Sequence, residues 1–394
     1  MTTGKSAIST SICAAILIAK SNAFEIPRGI AANELNIPHN IGFSTKHWGD
    51  ESSDFVPGRI TKKMAKAGKF TSGDCKVAYK TMIEAGVTFV ETGPNFGKKL
   101  RRDDLSSEHI VGQAVNENWK QTPMIATSYH LNPLLPLLNS PSAVVSSLEQ
   151  SCERLDAGSV DLYQVEFSGG FRDIGSRTSI ANGLELCVDR GLCTHVGVCN
   201  LSGSALESFY DKLDDRGVPL ASNAVEFSLV NRGALFDGTL EACAEMNIRP
   251  LARNPFAGGL ASGVFTASNP SGGFGTTPKF DFQTLGPLKP IHDALQKVEK
   301  MAYDRLWDEF YAKKEANNRN YKLPQIQGDF ETDVTTSLVS LLYVQAKGFT
   351  PIVEVDSKKD AMQLLHCVNN YNWDLKLSDE EVNLLDQAAV RCGY

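Results

Sequence analysis

Past Ile37 the chain alternates short apolar runs with amphipathic stretches. The runs at 41–44, 88–92, 124–128, 162–167, 195–200, 221–227, 249–254 and 350–355 have strand length and composition. Between most of them the apolar residues recur at helical spacing, at 77–84, 107–118, 142–155, 184–188, 206–213, 240–246 and 335–345. The stretch 107–118 sets Ile110, Val111, Ala114 and Val115 on one face, and 142–155 opens at Pro141 with Val144, Val145, Leu148 and Leu155. Strands alternating with helices pair in parallel through right-handed crossovers. Eight such units predict an α/β chain closed as a (β/α)8 TIM barrel. The strand spacing alone does not exclude a doubly wound sheet, but no Gly-x-Gly-x-x-Gly follows the first strand, against a dinucleotide-binding domain of that type.

One interval, 265–333, breaks the rhythm before the last strand. It opens as a Gly-, Ser- and Pro-rich loop, continues as a long helical pattern carrying Leu295, Val298, Met301 and Leu306, and ends in a polar segment. The helix is expected to pack on the barrel and its flanking loops to be disordered.

Composition narrows the function class. Hydrophobic residues make up 42% and charged residues 22% of the 394, which reads as a globular chain with ample core. A formal net charge of -7 argues against a nucleic-acid surface, and the short basic run from Lys98 to Arg102 reads as a solvated loop. Nine cysteines include no Cys-x-x-Cys and no zinc-finger spacing with His, so no metal site is expected. Cys187, Cys193 and Cys199 read as buried thiols acting as small apolar residues, in a reducing compartment. The N-terminus carries Lys5, an uncharged stretch over 6–19, and small residues at Ser21 and Ala23 ahead of Phe24. The stretch is too short to span a bilayer comfortably and has the length of a signal-peptide core. Residues 1–35 are therefore read as a targeting presequence and 36–394 as the barrel. Ser-Asn-Ala-Phe resembles the Ala-Phe junction of the two-part presequences of algae with secondary plastids, which implies a plastid; secretory entry is the alternative, and the mature form is expected to be free of membrane.

The chemistry centres on the second strand, Gly86-Val87-Thr88-Phe89-Val90-Glu91-Thr92-Gly93-Pro94-Asn95-Phe96-Gly97. An apolar run ends at a carboxylate, and an aromatic follows in a turn that can line a pocket. This stretch resembles the aldo-keto reductase signature Gly-Val-x-x-Phe-Asp-Thr-Ala-x-x-Tyr-Gly. Further pieces resemble that family in order along the chain: Gly42-Phe43-Ser44-Thr45 with Trp48-Gly49, Ser107-Glu108 with Gly112, Val160-Asp161-Leu162-Tyr163-Gln164, Gly197-Val198-Cys199-Asn200, Phe227-Ser228-Leu229-Val230-Asn231-Arg232, Pro255-Phe256-Ala257-Gly258-Gly259-Leu260 and Leu377-Ser378-Asp379-Glu380-Glu381. The resemblance implies a barrel that reduces carbonyls with NADPH through a Tyr, a Lys, an Asp and a His. The equivalent positions here are Phe96, Ser128, Glu91 and Glu166, so all four are substituted. Phe96 has no proton to give and Ser128 no charge to tune a neighbour. Glu91 keeps a carboxylate whose expected cation is missing. Glu166 donates only if protonated, as in relatives that reduce steroid double bonds beside an intact Tyr.

The implied cofactor groove is altered too. The amide-holding positions fall at Cys199, Asn200 and Ala224, and the ring-stacking position at Arg253. Asn254, Phe256 and Gly258 are candidates for the pyrophosphate. The adenosine-phosphate position carries Glu354 and Asp356, which repel a phosphate, with Lys358 and Lys359 close behind; Asp360, Gln363 and Leu364 fall where the adenine contacts lie. NADPH is thus a doubtful cofactor. Three readings follow: a pseudoenzyme serving as a binding, scaffold or regulatory subunit for a protein or small molecule; a divergent NADP-dependent oxidoreductase acting on a carbonyl or enone; and another enzyme using Glu91 and Glu166 as paired carboxylates. Ser128, His130 and Glu166 form a nucleophile set only if the third strand continues, and His130 is expected in a loop instead.

Overall fold

A computed structural model describes residues 35–394 apart from 67, 98–105, 119–121, 133–137, 169–170, 273–279, 317–333 and 370–374. The first 34 residues of the segment read as a presequence, the basic run Lys98 to Arg102 and most of the loops expected to be disordered lie outside the described residues. Eight parallel strands close into one barrel in sequence order: β1 Gly42–Ser44, β2 Phe89–Glu91, β3 Met124–His130, β4 Val160–Glu166, β5 Cys193–Cys199, β6 Leu220–Glu226, β7 Arg249–Arg253 and β8 Thr350–Glu354. Closure is made by β1 against β8, with Gly42 opposite Ile352 and Ser44 opposite Glu354. All eight predicted strands are present, and the doubly wound alternative is excluded.

The outer ring is formed by α1 Ser72–Glu84, α2 Ser107–Glu117, α3 Pro141–Leu155, α4 Arg177–Asp189, α5 Gly203–Asp214, α6 Thr239–Glu245, α7 Lys289–Ala316, α8 Thr336–Ala346, α9 Lys358–Asn369 and α10 Asp379–Arg391. Local chemistry sets their starts. Thr71 and Asp74 form a capping box at α1, and Ser378 and Glu381 form another at α10. Pro141 stands in the first turn of α3, where its missing N–H costs nothing.

Strand alternation divides the side chains between two cores. Phe43, Val90, Tyr163, Val165 and Val198 face the helices. Phe89, Ala126, Leu162, Cys199, Ala224, Leu251 and Ile352 fill the barrel interior together with Leu35 and Ile37, which precede β1. The ordered fold therefore already includes Leu35, one residue inside the segment assigned to the presequence. The insertion packs as expected: Ile291, Leu295, Val298 and Ala302 of α7 are fully buried against Val339 and Tyr343 of α8 and Leu385 of α10. Met301 is only half-buried. Each fully buried leucine or isoleucine contributes about 1.5–3 kcal/mol. Cys187, Cys193 and Cys199 are buried and unbridged, and burial pushes the first two thiols up to about 12.

Gly112 shows how closely the helices approach. A Cβ there would lie 2.5 Å from the Leu155 carbonyl oxygen at the end of α3. That oxygen belongs to backbone and cannot rotate away. Gly112→Ala should cost about 2 kcal/mol, read as a lower urea midpoint with unchanged slope.

Candidate active site

The barrel mouth is built from the last inward-facing residues of six strands. Ser44, Glu91, Glu166, Glu226, Arg253 and Glu354, with Lys46, Phe96, Asn200, Asn254 and Ile352, line a cavity of about 270 Å³. Its floor is an ion-pair chain that spans the barrel. Arg253 Nε donates to Glu91 Oε1 at 2.7 Å, and Arg253 Nη1 donates to Glu166 Oε1. Glu166 Oε2 accepts from His130 Nδ1 at 2.8 Å, and His130 Nε2 lies 3.2 Å from Ser128 Oγ. Burial alone would raise the Glu166 carboxyl. The His130 hydrogen bond and the charge of Arg253 outweigh it and hold the group at about 2.

Two expectations are corrected here. Glu91 does not lack a cation: Arg253, expected to occupy the nicotinamide-stacking position, reaches across the interior and supplies one. His130 is not a loop residue. β3 continues through Tyr129 opposite Val165 and His130 opposite Glu166, because Tyr129 faces outward and anchors its hydroxyl on Asn139 at 3.2 Å. Alternation then turns Ser128 and His130 inward together. The four tetrad-equivalent positions do converge: Glu91, Phe96 and Glu166 line the cavity, and Ser128 joins them through His130. Ser44 was passed over by the sequence analysis. Its hydroxyl is buried in the cavity wall without a hydrogen-bond partner. The signal for it was its place one strand away from Glu91, as the last residue of β1.

The proposed cofactor residues are only partly gathered. Asn200, Arg253 and Asn254 border the cavity. Asn200 Nδ2 donates to the Phe167 carbonyl at 3.2 Å, and Asn254 Oδ1 accepts the Gly258 N–H at 2.7 Å. Cys199 and Ala224 are fully buried beneath the mouth. Phe256 packs into the helix-side core and Gly258 is exposed. Lys358, Lys359 and Gln363 are exposed on α9, while Leu364 is buried. The start of α9 caps itself, since Asp360 accepts from both the Ser357 N–H at 2.9 Å and the Ser357 hydroxyl at 2.7 Å. A carboxylate thus already sits where a helix terminus would attract a phosphate. Glu354 pairs with Lys46 at 3.3 Å and Asp356 with His47 at 2.8 Å. Among the described residues no group of three His, Cys, Asp or Glu is placed to hold a metal ion, and no helix is long and apolar enough to cross a membrane.

Comparison with known proteins agrees with this architecture. Pyridoxal reductase, chloroplastic, of Arabidopsis thaliana is 26% identical over 268 residues, covering 66% of this chain and 68% of that protein. Aldo-keto reductase YhdN of Bacillus subtilis is 26% identical over 193 residues, covering 48% of this chain and 53% of that protein. The chain spans about two thirds of the length of the first of these relatives. The glycerol dehydrogenase of Gluconobacter oxydans superposes with a TM-score of 0.59 at 16% identity, covering 92% of this chain and 96% of that one. An aldo-keto reductase from Klebsiella pneumoniae in complex with NADPH gives 0.57 at 18%, covering 91% and 95%. At those identities the likeness concerns the fold. The model of the Aldo/keto reductase family matches residues 59–390, most of the chain. An eight-stranded barrel with a mouth pocket and a match of that length lead to one statement: this chain belongs to the aldo/keto reductase family.

Proposed function

We propose that this barrel has given up the carbonyl reduction of its family and serves as a binding, scaffold or regulatory subunit that uses the mouth cavity for a small molecule or its rim for a protein partner. The observation that carries this reading is the bridge from Glu91 through Arg253 to Glu166. It places a guanidinium on both carboxylates, where hydride transfer would need a poised acid. A carboxyl held at about 2 gives up no proton near neutrality. That weighs against Glu166 as a donor to a double bond and against the paired-carboxylate enzyme. The self-capped α9 and the acidic end of β8 leave little for an adenosine phosphate to bind.

A second reading, a divergent NADP-dependent oxidoreductase, is favoured by the relatives themselves, a pyridoxal reductase among them, and by a superposable barrel solved with NADPH. Asn200 and Arg253 would hold the nicotinamide end of such a cofactor, which would supply a hydride, and Asn254 its pyrophosphate. One titration separates the two. The chain lacking its first 23 residues, mixed with NADPH and followed by cofactor fluorescence, should show no saturation up to about millimolar cofactor, an affinity below about 4 kcal/mol, and no NADPH oxidation on adding pyridoxal. Saturation in the micromolar range with turnover of pyridoxal would establish the second reading instead. The chloroplastic relative and the Ala-Phe junction support a plastid as the place of work.

A further inference from the structure

The ion-pair chain on the cavity floor does not end at Glu166. It runs on through His130 to a hydroxyl, in the order carboxylate, imidazole, serine. His130 Nδ1 faces Glu166 at 2.8 Å, so in the neutral ring this contact puts the proton on Nδ1 and the lone pair on Nε2. Nε2 in turn stands 3.2 Å from Ser128 Oγ, within reach to accept its proton. A hydroxyl, a base and a group that fixes the tautomer of the base are the three parts of an activated serine. Ser128 and His130 are two apart on one strand, and Glu166 lies directly opposite His130 on the next, so the backbone ladder itself holds the set in register.

A nucleophile also needs room beside its oxygen. Gly93 provides it. A Cβ at Gly93 would sit 3.1 Å from Ser128 Oγ and 3.5 Å from the Phe96 ring, with nothing closer. The absence of a side chain at Gly93 thus leaves the flank of the Ser128 hydroxyl uncrowded. The aldo-keto reductase signature has alanine at this position. Ser128 is itself buried and does not line the mouth cavity, whereas Phe96 beside it does, so an approach to Ser128 from the cavity runs past that ring. Around the mouth, Glu91, Glu166, Glu226 and Glu354 outnumber Lys46 and Arg253. The excess of negative charge disfavours acyl phosphates and thioesters of phosphorylated carriers.

We propose that Ser128 is a nucleophile activated by His130, with Glu166 as the positioning residue, and that it accepts acyl groups from small uncharged or cationic esters. In the forward step the Ser128 Oγ–carbonyl carbon bond forms while the Oγ proton passes to His130 Nε2. The ester C–O bond then breaks, and the leaving alcohol takes that proton. Water reverses the sequence by the same route, giving its proton to Nε2 and returning free serine and a carboxylic acid.

The test is covalent labelling of the full chain with an ethyl fluorophosphonate and, separately, turnover of p-nitrophenyl acetate, with the modified peptide located by mass spectrometry. Label on Ser128 is expected, absent in Ser128→Ala and at least about a hundredfold slower in His130→Asn, the scale of one acid–base catalyst. Gly93→Ala, whose methyl would crowd the Ser128 hydroxyl at 3.1 Å, should slow labelling comparably. Phe96→Ala should speed it by widening the approach. Each variant is compared at matched thermal midpoint, so loss of fold is separated from loss of chemistry. No label on Ser128 in either the parent chain or Phe96→Ala, or an equal rate in His130→Asn and the parent, would overturn the proposal and leave the three residues as a structural hydrogen-bond chain.

Discussion

Replacing Arg253 with methionine should destabilise the barrel by about 3–5 kcal/mol, the penalty for breaking a buried ion pair by removing one partner. The size follows from what is left behind. The Glu91 side chain is 4% exposed, too little for water to take the place of a guanidinium. Glu166 fares better, since it keeps the His130 hydrogen bond. Methionine conserves most of the volume of the arginine stem, so the loss isolates charge from packing. The control is the triple variant Arg253→Met, Glu91→Gln, Glu166→Gln, which removes the stranded charges along with their cation and should recover most of the stability. Urea unfolding followed by circular dichroism measures both. A loss below about 1 kcal/mol for Arg253→Met, in the range of an exposed pair, would mean that the mouth is wetter than its geometry implies.

Stability should also fall steeply in acid, and by an amount assignable to one residue. The Glu166 carboxyl moves from an ordinary 4.5 to about 2 on folding. A depressed pKa means that the folded state favours the ionised form. Its contribution is complete above about pH 4.5 and is lost as the pH falls toward about 2, to a total of up to about 3 kcal/mol. The partial exposure of the group trims that figure. Glu166→Gln cannot titrate. The stability gap between parent and variant should therefore be widest near about pH 6 and close by about pH 2. A gap that stays constant through this range would show that the interaction does not depend on the charge of Glu166.

The strands and the family were legible because both are written locally. Each strand is an apolar run bounded by turn residues, and the helices between them follow simple periodicity, Ser357-x-x-Asp360 being the start signal that was passed over at α9. The second strand, with its carboxylate at Glu91 and aromatic at Phe96, could be placed at the mouth from its own twelve residues. The wiring of the mouth was another matter. Arg253 and Glu91 are 162 residues apart, and nothing near either marks the other as its partner. Only closure of the barrel puts β7 and β2 on opposite sides of one cavity, and only then does a long side chain at the top of β7 span it. His130 was misread for a smaller reason. The sequence Ser-Tyr-His-Leu-Asn-Pro thins in apolar residues before its proline, so the strand was ended at Ser128. The alternation of Ile125, Thr127 and Tyr129 against Ala126, Ser128 and His130 carried the correct length.

Leu35 and Ile37 stop the lower opening of the barrel, with 1% and 4% of their surfaces exposed, among residues drawn from seven strands. Any maturation of this protein is bounded by that stopper. A protease that trims ahead of Leu35, at Phe24 for instance, leaves the interior sealed, whereas one that trims past Ile37 unplugs it and lets solvent reach Phe89, Leu251 and Ile352 from below. The barrel would thus set a limit to any N-terminal processing: a cut that leaves Leu35 in place keeps the bore dry.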